Sequence, residues 1–224
     1  MQISNETIDI LKNFAMINPS IAFEPGNVLQ TVATNKTIMA KAELVDVLPS
    51  PGAIYDLSRF LGVVSLFETP EYEFNTSQVT IKERSKSVNY TFADPSMIVT
   101  PPNNKTLAIE DPDVDIEVSG EKISAVLKAA AILQLKEVAI SCDGSQVFLE
   151  GLDTNGSDTY KEVIQDWTPE STFQFIFKTE SFKMLPGDYN VKLNKGGIAQ
   201  FSSKRGEVVI TYWVAAEQNS TYNG

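Results

Sequence analysis

At 224 residues, with 42% apolar residues, the chain can bury a substantial core without covalent staples. The single Cys142 excludes an internal disulfide, and the absence of histidine excludes a Cys/His zinc cluster and a His-dependent catalytic triad. A net charge of −11, from 18 basic and 29 acidic residues, argues against tight binding to a polyanion.

The N-terminus has no basic segment leading into an apolar stretch, and no apolar run approaches the roughly 18 residues needed to span a bilayer. A soluble, intracellular protein with no membrane partner is expected. Asn-x-Ser/Thr triplets at Asn5, Asn35, Asn89 and Asn104 are then chance features of an Asn- and Thr-rich chain rather than glycosylation sites.

Taken in order, the chain starts twice. Ser4-Asn5-Glu6-Thr7-Ile8, leading into Leu11-Lys12, is echoed by Ser119-Gly120-Glu121-Lys122-Ile123, leading into Leu127-Lys128. Each opening offers a Ser suited to capping a helix and a Glu in the first turn, where the helix dipole favours negative charge. From Asn5 to about Met16, Ile8, Leu11, Phe14 and Ala15 recur at helical spacing, with Asn5, Asp9 and Lys12 on another face.

Residues 20–33 read as a hairpin: Ile21 and Phe23 on one arm, Val28 and Val32 on the other, Glu24-Pro25-Gly26-Asn27 as the turn. Residues 37–47 supply another strand. Across residues 53–67 the period changes again, with Leu57, Phe60, Leu61 and Val64 forming an apolar face that Asp56 can cap while Arg59 points away. Strands follow at 72–74, 79–84 and 88–92, before Pro101-Pro102-Asn103-Asn104 breaks the pattern.

The second half repeats this order. A helix over 120–133 precedes a hairpin over 137–149 that turns at Asp143-Gly144, then strands near 159–165 and 173–177. Thr179 is expected to cap a very short helix containing Phe182 and Leu185, ended by Pro186-Gly187. Three strands at 188–193, 198–202 and 208–215 close the module, and the polar tail 218–224 is expected to fray. The result is an α+β chain of two modules, 1–104 and 119–224, joined by a connector at 105–118. Duplicated two-layer modules are suited to assembling into rings. The halves 1–108 and 109–224 carry −3 and −8, and five acids fall in Glu110-Asp111-Pro112-Asp113-Val114-Asp115-Ile116-Glu117, which reads as a solvated linker.

The stretches LKNFAMINPSIAF (11–23), AIYDLSRFLGVVSLF (53–67), FADPSMIV (92–99), KMLPGDYNVKL (183–193) and YWVAAE (212–217) resemble the DNA polymerase sliding clamps of T-even-like bacteriophages, collinearly over nearly the whole chain. The resemblance implies the DNA clamp fold. Two similar domains per subunit, each with sheets outside and two helices lining the inner face, would close as a homotrimeric ring with pseudo-sixfold symmetry around duplex DNA. It also implies cytoplasmic work in an infected bacterial host, with no catalytic residue, no cofactor and no metal. The partners it implies are the replicative DNA polymerase, an ATP-dependent clamp loader and, for late transcription, phage sigma and coactivator proteins bound to host RNA polymerase. A topological link does not need strong attraction, so an acidic ring with modestly basic inner helices can stay on DNA and still slide.

On that resemblance the DNA-facing candidates are Lys12, Arg59, Lys122, Lys128 and Lys183, each within an expected helix and off its strongest apolar positions; Lys136 and Lys178 border those helices. Their contacts would be to phosphate and water, without base readout. By the same analogy a head-to-tail interface would join strand 88–92, through Val88, Tyr90 and Phe92, to strand 159–164, through Tyr160 and Val163. A pocket for partner peptides would lie beside the connector, with Leu107 and Ile109 at its rim and Tyr212 and Val214 as its floor.

Two other readings compete. A non-enzymatic phage structural or scaffold subunit would show the same duplicated plan without a link to DNA. A carboxylate hydrolase would need Asp111, Asp113 and Asp115 to hold a divalent ion, but their spacing lacks the glycine and distal Glu of a calcium loop. The chain has no G-x-x-x-x-G-K-[ST] loop, so no ATP hydrolysis of its own is expected.

Overall fold

The computed structural model describes residues 1–102, 107–168 and 171–224. The expected break at Asn103-Asn104, the start of the connector at Lys105 and the Asn104 triplet lie outside the described residues. The chain divides into two compact units, Met1–Lys105 with Lys204–Thr211, and Thr106–Ser203 with Tyr212–Gly224.

In the first unit, α1 (Asn5–Ile17) begins at Ser4, whose backbone is extended and whose side-chain hydroxyl accepts the Thr7 N–H as a cap should. Ile10, Leu11, Phe14 and Ile17 turn inward, while Asn5, Asp9, Lys12 and Met16 face solvent. The strands β1 (Ile21–Phe23), β2 (Gly26–Val32), β3 (Ile38–Leu48) and β4 (Gly52–Ile54) follow. The expected hairpin between β1 and β2 does not form: β1 pairs antiparallel with β4, and β2 with β3. Pro25 offers no N–H to a ladder, Gly26 sits at φ 129°, and β2 is bulged between Gly26 and Val28. α2 (Leu57–Val64) starts at Asp56, whose Oδ1 accepts the Arg59 N–H at 2.8 Å, and buries Leu57, Phe60 and Val64.

Next, β5 (Glu71–Phe74), β6 (Gln78–Glu83) and β7 (Lys86–Thr91) form an antiparallel sheet in that order. The turn into β7 places Arg84 at φ 50°. The outer side of β5 is covered at Tyr72, which exchanges main-chain hydrogen bonds with the Met1 ammonium and carbonyl at 2.8 and 2.7 Å. A 3₁₀ turn (Pro95–Met97), capped by Asp94, ends this stretch.

The second unit opens with β8 (Val114–Val118), which corrects the expectation of a solvated acidic linker. The acids there alternate with Val114, Ile116 and Val118, so the sequence has a period of two: the apolar set is buried and Asp115 and Glu117 face water. α3 (Gly120–Leu133) is capped by Ser119 and buries Ile123, Val126 and Ala130. Four strands follow: β9 (Glu137–Cys142), β10 (Gln146–Leu152), β11 (Thr159–Asp166) and β12 (Thr172–Lys178). The hairpin between β9 and β10 forms as expected, with Gly144 at φ 98° in its turn.

The short second helix of this module is a single 3₁₀ turn (Thr179–Ser181) without a side-chain cap. Thr179 Oγ1 instead donates to the Leu135 carbonyl at 3.2 Å, and Pro186 and Gly187 leave no room for a second helical turn. The strands β13 (Tyr189–Asn194), β14 (Ile198–Arg205) and β15 (Val208–Ala215) come next, with β8, β13 and β14 antiparallel in that order. The tail expected to fray forms β16 (Thr221–Asn223), which pairs with β12, and Ser220 Oγ accepts the Ile176 N–H.

After the leading strand β8, the second half of the chain repeats the order of the first: a helix, four strands, a short helix or turn, and three strands. Each unit has its own core: Phe14, Ile21, Leu57, Tyr72 and Ile81 in the first, and Val126, Ile140, Phe175, Phe177 and Phe201 in the second. Burial of one such aromatic contributes about 2–3 kcal/mol. Among the described residues no helix is long and apolar enough to cross a membrane.

Candidate functional site

Because α1, α2 and α3 each commit one stripe to a core, the opposite stripes are free to meet a ligand. Lys12 lies on the free stripe of α1, exposed, with Nζ 3.0 Å from Asp9 Oδ1, so its charge is partly offset by its neighbour. Arg59 on α2 and Lys128 on α3 are exposed and make no ion pair among the described residues. Lys183 follows the 3₁₀ turn rather than standing in a helix, and is half-buried. Lys122 is turned aside: its ammonium donates to the Val163 carbonyl and lies 3.9 Å from Glu162 Oε1. Glu121, exposed one turn before Ala125, further dilutes the charge of the α3 stripe. On these faces the exposed Glu6 and Asp9 offset Lys12 on α1 and Glu121 offsets Lys128 on α3, so none is strongly basic.

The strands expected to form the interface both stand at ends of their sheets. β7 is the last strand of the order β5-β6-β7, and β11 the first of β11-β10-β9-β12-β16. β11 is eight residues long, so it exposes a row of main-chain donors and acceptors of the kind another chain can pair with. Each edge is flanked by a helix of its own unit. Beside β7, the Tyr90 ring packs edge-on against Phe60 of α2 at 5.2 Å and its hydroxyl donates to the Asp56 carbonyl at 3.1 Å. Burial, with the Asp56 carboxylate adding to it, pushes the Tyr90 hydroxyl above its ordinary value.

Val88 is half-buried on β7, and Phe92, just past its end, packs edge-on against Phe23 at 6.1 Å. Beside β11, the Tyr160 hydroxyl donates to Glu162 Oε2 at 3.0 Å, which raises its pKa. Val163 is 39% exposed on the sheet's other face.

The four residues expected to share a peptide pocket are not brought onto one face. The Ile109 N–H donates to Gln200 Oε1 at 3.0 Å, and the same oxygen accepts the Trp213 indole N–H at 3.2 Å. Tyr212 and Val214 are both 0% exposed and, because side chains alternate along β15, point away from the Trp213 side. The Tyr212 hydroxyl accepts the Leu185 N–H at 3.2 Å and its ring lies against Tyr189 at 6.1 Å. Leu107 is half-buried. Gln200 thus pins the described end of the connector, a role the sequence did not signal, since a glutamine between Ala199 and Phe201 reads only as the solvent face of a strand.

No cluster of three or more His, Cys, Asp or Glu able to hold a metal occurs among the described residues. Asp113 accepts the Lys195 N–H at 2.7 Å and Asp115 accepts Asn190 Nδ2 at 2.7 Å, so these carboxylates serve neighbouring strands.

The helix-and-strand order used twice is that of the DNA clamp fold. In fold, the chain matches a PCNA from A. fulgidus solved with the C-terminal region of FEN-1 (TM-score 0.70, 13% identity, 96% of each chain). It also matches a Helicobacter pylori beta clamp (TM-score 0.71, 12% identity, 97% of this chain and 65% of that one). The sequence profile of the DNA polymerase processivity factor matches residues 4–100, and that of the gp45 sliding clamp C-terminal domain matches residues 115–218. Sliding clamps of Enterobacteria phage T4 and Escherichia phage RB69 are 31% and 30% identical to it, each over 100% of both chains. The chain belongs to the phage sliding clamp family of DNA polymerase processivity factors.

Proposed function

We propose that this chain is a processivity clamp: three copies close head to tail into a ring around duplex DNA and tether the replicative polymerase during synthesis. The observation that carries this is a helix-and-strand order used twice, in a chain collinear with sliding clamps from end to end. Residues 1–104 and 119–224 act as the two clamp domains and 105–118 as the connector, whose last five residues are built into β8. Ring closure pairs β7 of one copy, through Val88, Tyr90 and Phe92, with β11 of the next, through Tyr160 and Val163. That both are edge strands supports the assignment.

Lys12, Arg59 and Lys128 are the residues that meet phosphate, with Lys183 beside them and Lys122 drawn toward the β11 edge. Sparse bases, one of them shared with Asp9, support sliding over gripping. A partner peptide meets the connector near Leu107 and Ile109 on the Trp213 side of β15, with Tyr212 and Val214 as packed support behind it. The chain performs no chemical step itself: an ATP-dependent loader opens the ring, and the work takes place in the cytoplasm of the infected host. Late-transcription partners would use the same loaded ring.

Primer extension on a singly primed circular template, with the cognate polymerase and loader and excess trap DNA, tests this. Products lengthened only when clamp, loader and ATP are all present are expected. Product lengths unchanged by the clamp would return the chain to the scaffold reading.

A further inference from the structure

Lys122 occupies the third position of α3, within the first turn, where the helix dipole disfavours a cation. Its ammonium leaves the helix to donate to the Val163 main-chain carbonyl on β11, with Glu162 Oε1 at 3.9 Å. Glu162 is in turn held on that side by the Tyr160 hydroxyl. Lys122 therefore reaches from α3 to two neighbouring residues of a strand that has a neighbour on one side only. A lysine on a sheet edge is a recognised means of keeping stray strands from pairing with it, because it occupies or crowds the acceptors that a new strand must use.

We propose that Lys122 is a latch on the β11 edge: it covers the Val163 carbonyl in the lone protomer and must let go when a second copy of this chain brings its own edge strand to pair there. This rests on the ring assembly proposed above. The occupant is a second copy because β7 offers a complementary edge, six residues long and flanked by α2 as β11 is flanked by α3. Releasing a charge-assisted hydrogen bond at each closing interface weakens the ring and favours its opening. The latch thus sets how readily subunits part, and its strength lies in one donor group rather than in the packing of the interface.

Sedimentation equilibrium over a dilution series, without DNA, compares the wild-type chain with Lys122→Ala and Lys122→Arg. Ala removes the donor and suits the helix; Arg keeps a donor of similar reach. The latch predicts that the Ala variant closes each interface about tenfold more tightly, the magnitude of one charge-assisted hydrogen bond, and that the Arg variant stays near wild type. Unchanged or weaker assembly of the Ala variant, or an Arg variant that assembles as tightly as Ala, overturns the latch while leaving the ring intact. Monomers at every concentration in all three proteins overturn the ring itself, and the latch with it. Circular dichroism and the thermal midpoint of each variant verify that the protomer is folded in every comparison.

Discussion

Asp46 shows how a single side chain sets the entry of a helix. Its Oδ2 accepts the Ser4 N–H at 2.8 Å and the Ser4 and Thr7 hydroxyls at 2.7 Å each, tying the cap of α1 to β3. Burial pushes the Asp46 carboxyl up, but the Ser4 and Thr7 hydrogen bonds outweigh it and hold the group below its ordinary 3.8. A carboxylate with a depressed pKa in the folded state adds stability above its unfolded pKa, and that stability disappears as pH falls through the folded value. Asp46→Ala should therefore cost about 2 kcal/mol at neutral pH. Its deficit relative to wild type, measured by urea unfolding, should narrow below pH 3.8; a deficit independent of pH would show that the charge is not what matters. Tyr72 is the opposite case. Its hydroxyl is buried without a hydrogen-bond partner among the described residues, and burial pushes its pKa up to about 12. The unfolded chain releases this proton near pH 10 while the folded one keeps it, so stability falls as pH rises from 10 toward 12. Tyr72→Phe should leave the thermal midpoint at pH 7 unchanged or higher, since it removes an unpaired polar atom, and should lessen the alkaline loss. A drop of several degrees at pH 7 would reveal a partner for the hydroxyl.

Elements were legible where the pattern is local. Ser4 and Ser119 cap as their spacing from Thr7 and Lys122 suggests, and Asp56 caps α2. Pairing between strands was less legible, because it is decided by distant partners: Ile21 and Phe23 pair with β4, thirty residues on, rather than across the Pro25-Gly26 turn. In the acidic run at 110–117, β8 is masked by charge density: the acids alternate with Val114, Ile116 and Val118, and only the apolar set is buried. Gly120 divides propensity from packing. At the start of α3 an alanine should improve the helix by up to about 1 kcal/mol. A Cβ there, however, would stand 2.7 Å from the Gly187 carbonyl carbon and oxygen, and backbone cannot swing aside as a side chain can. Gly120→Ala should destabilise the protein by about 1–3 kcal/mol in chemical unfolding; a stabilised variant would mean that the 187 loop yields freely. At the β11 edge, Val163→Asp should change protomer stability by no more than about 0.5 kcal/mol, as the side chain is exposed in the lone chain. The same variant should shift trimer to monomer in sedimentation, because pairing would bury an unmatched charge. Unaltered association would place the interface elsewhere.

At the scale of the whole molecule, duplication was visible in the two helix openings, and the order of elements confirms it twice over. The candidate site was harder to read. Lys12, Arg59 and Lys128 fall on exposed helical stripes because helical period alone determines that placement, whereas Lys122 and Lys183 needed knowledge of β11 and of the shortened 3₁₀ turn. The connector's hydrogen bond to Gln200, whose oxygen Trp213 shares, depends on which strands face each other, and sequence spacing carries no trace of it. An excess of acids over bases suits a topological link to DNA better than tight phosphate contacts, and the proposed ring stands on that link. The direct measurement loads the clamp onto a nicked circular plasmid with its loader and ATP, isolates the complex by gel filtration at high salt, and then linearises the plasmid. A topological clamp stays with the circle through the salt wash and leaves once the DNA has ends. A protein that washes off the circle in salt, or stays bound after linearisation, is held by contact rather than by encirclement, and would contradict the ring.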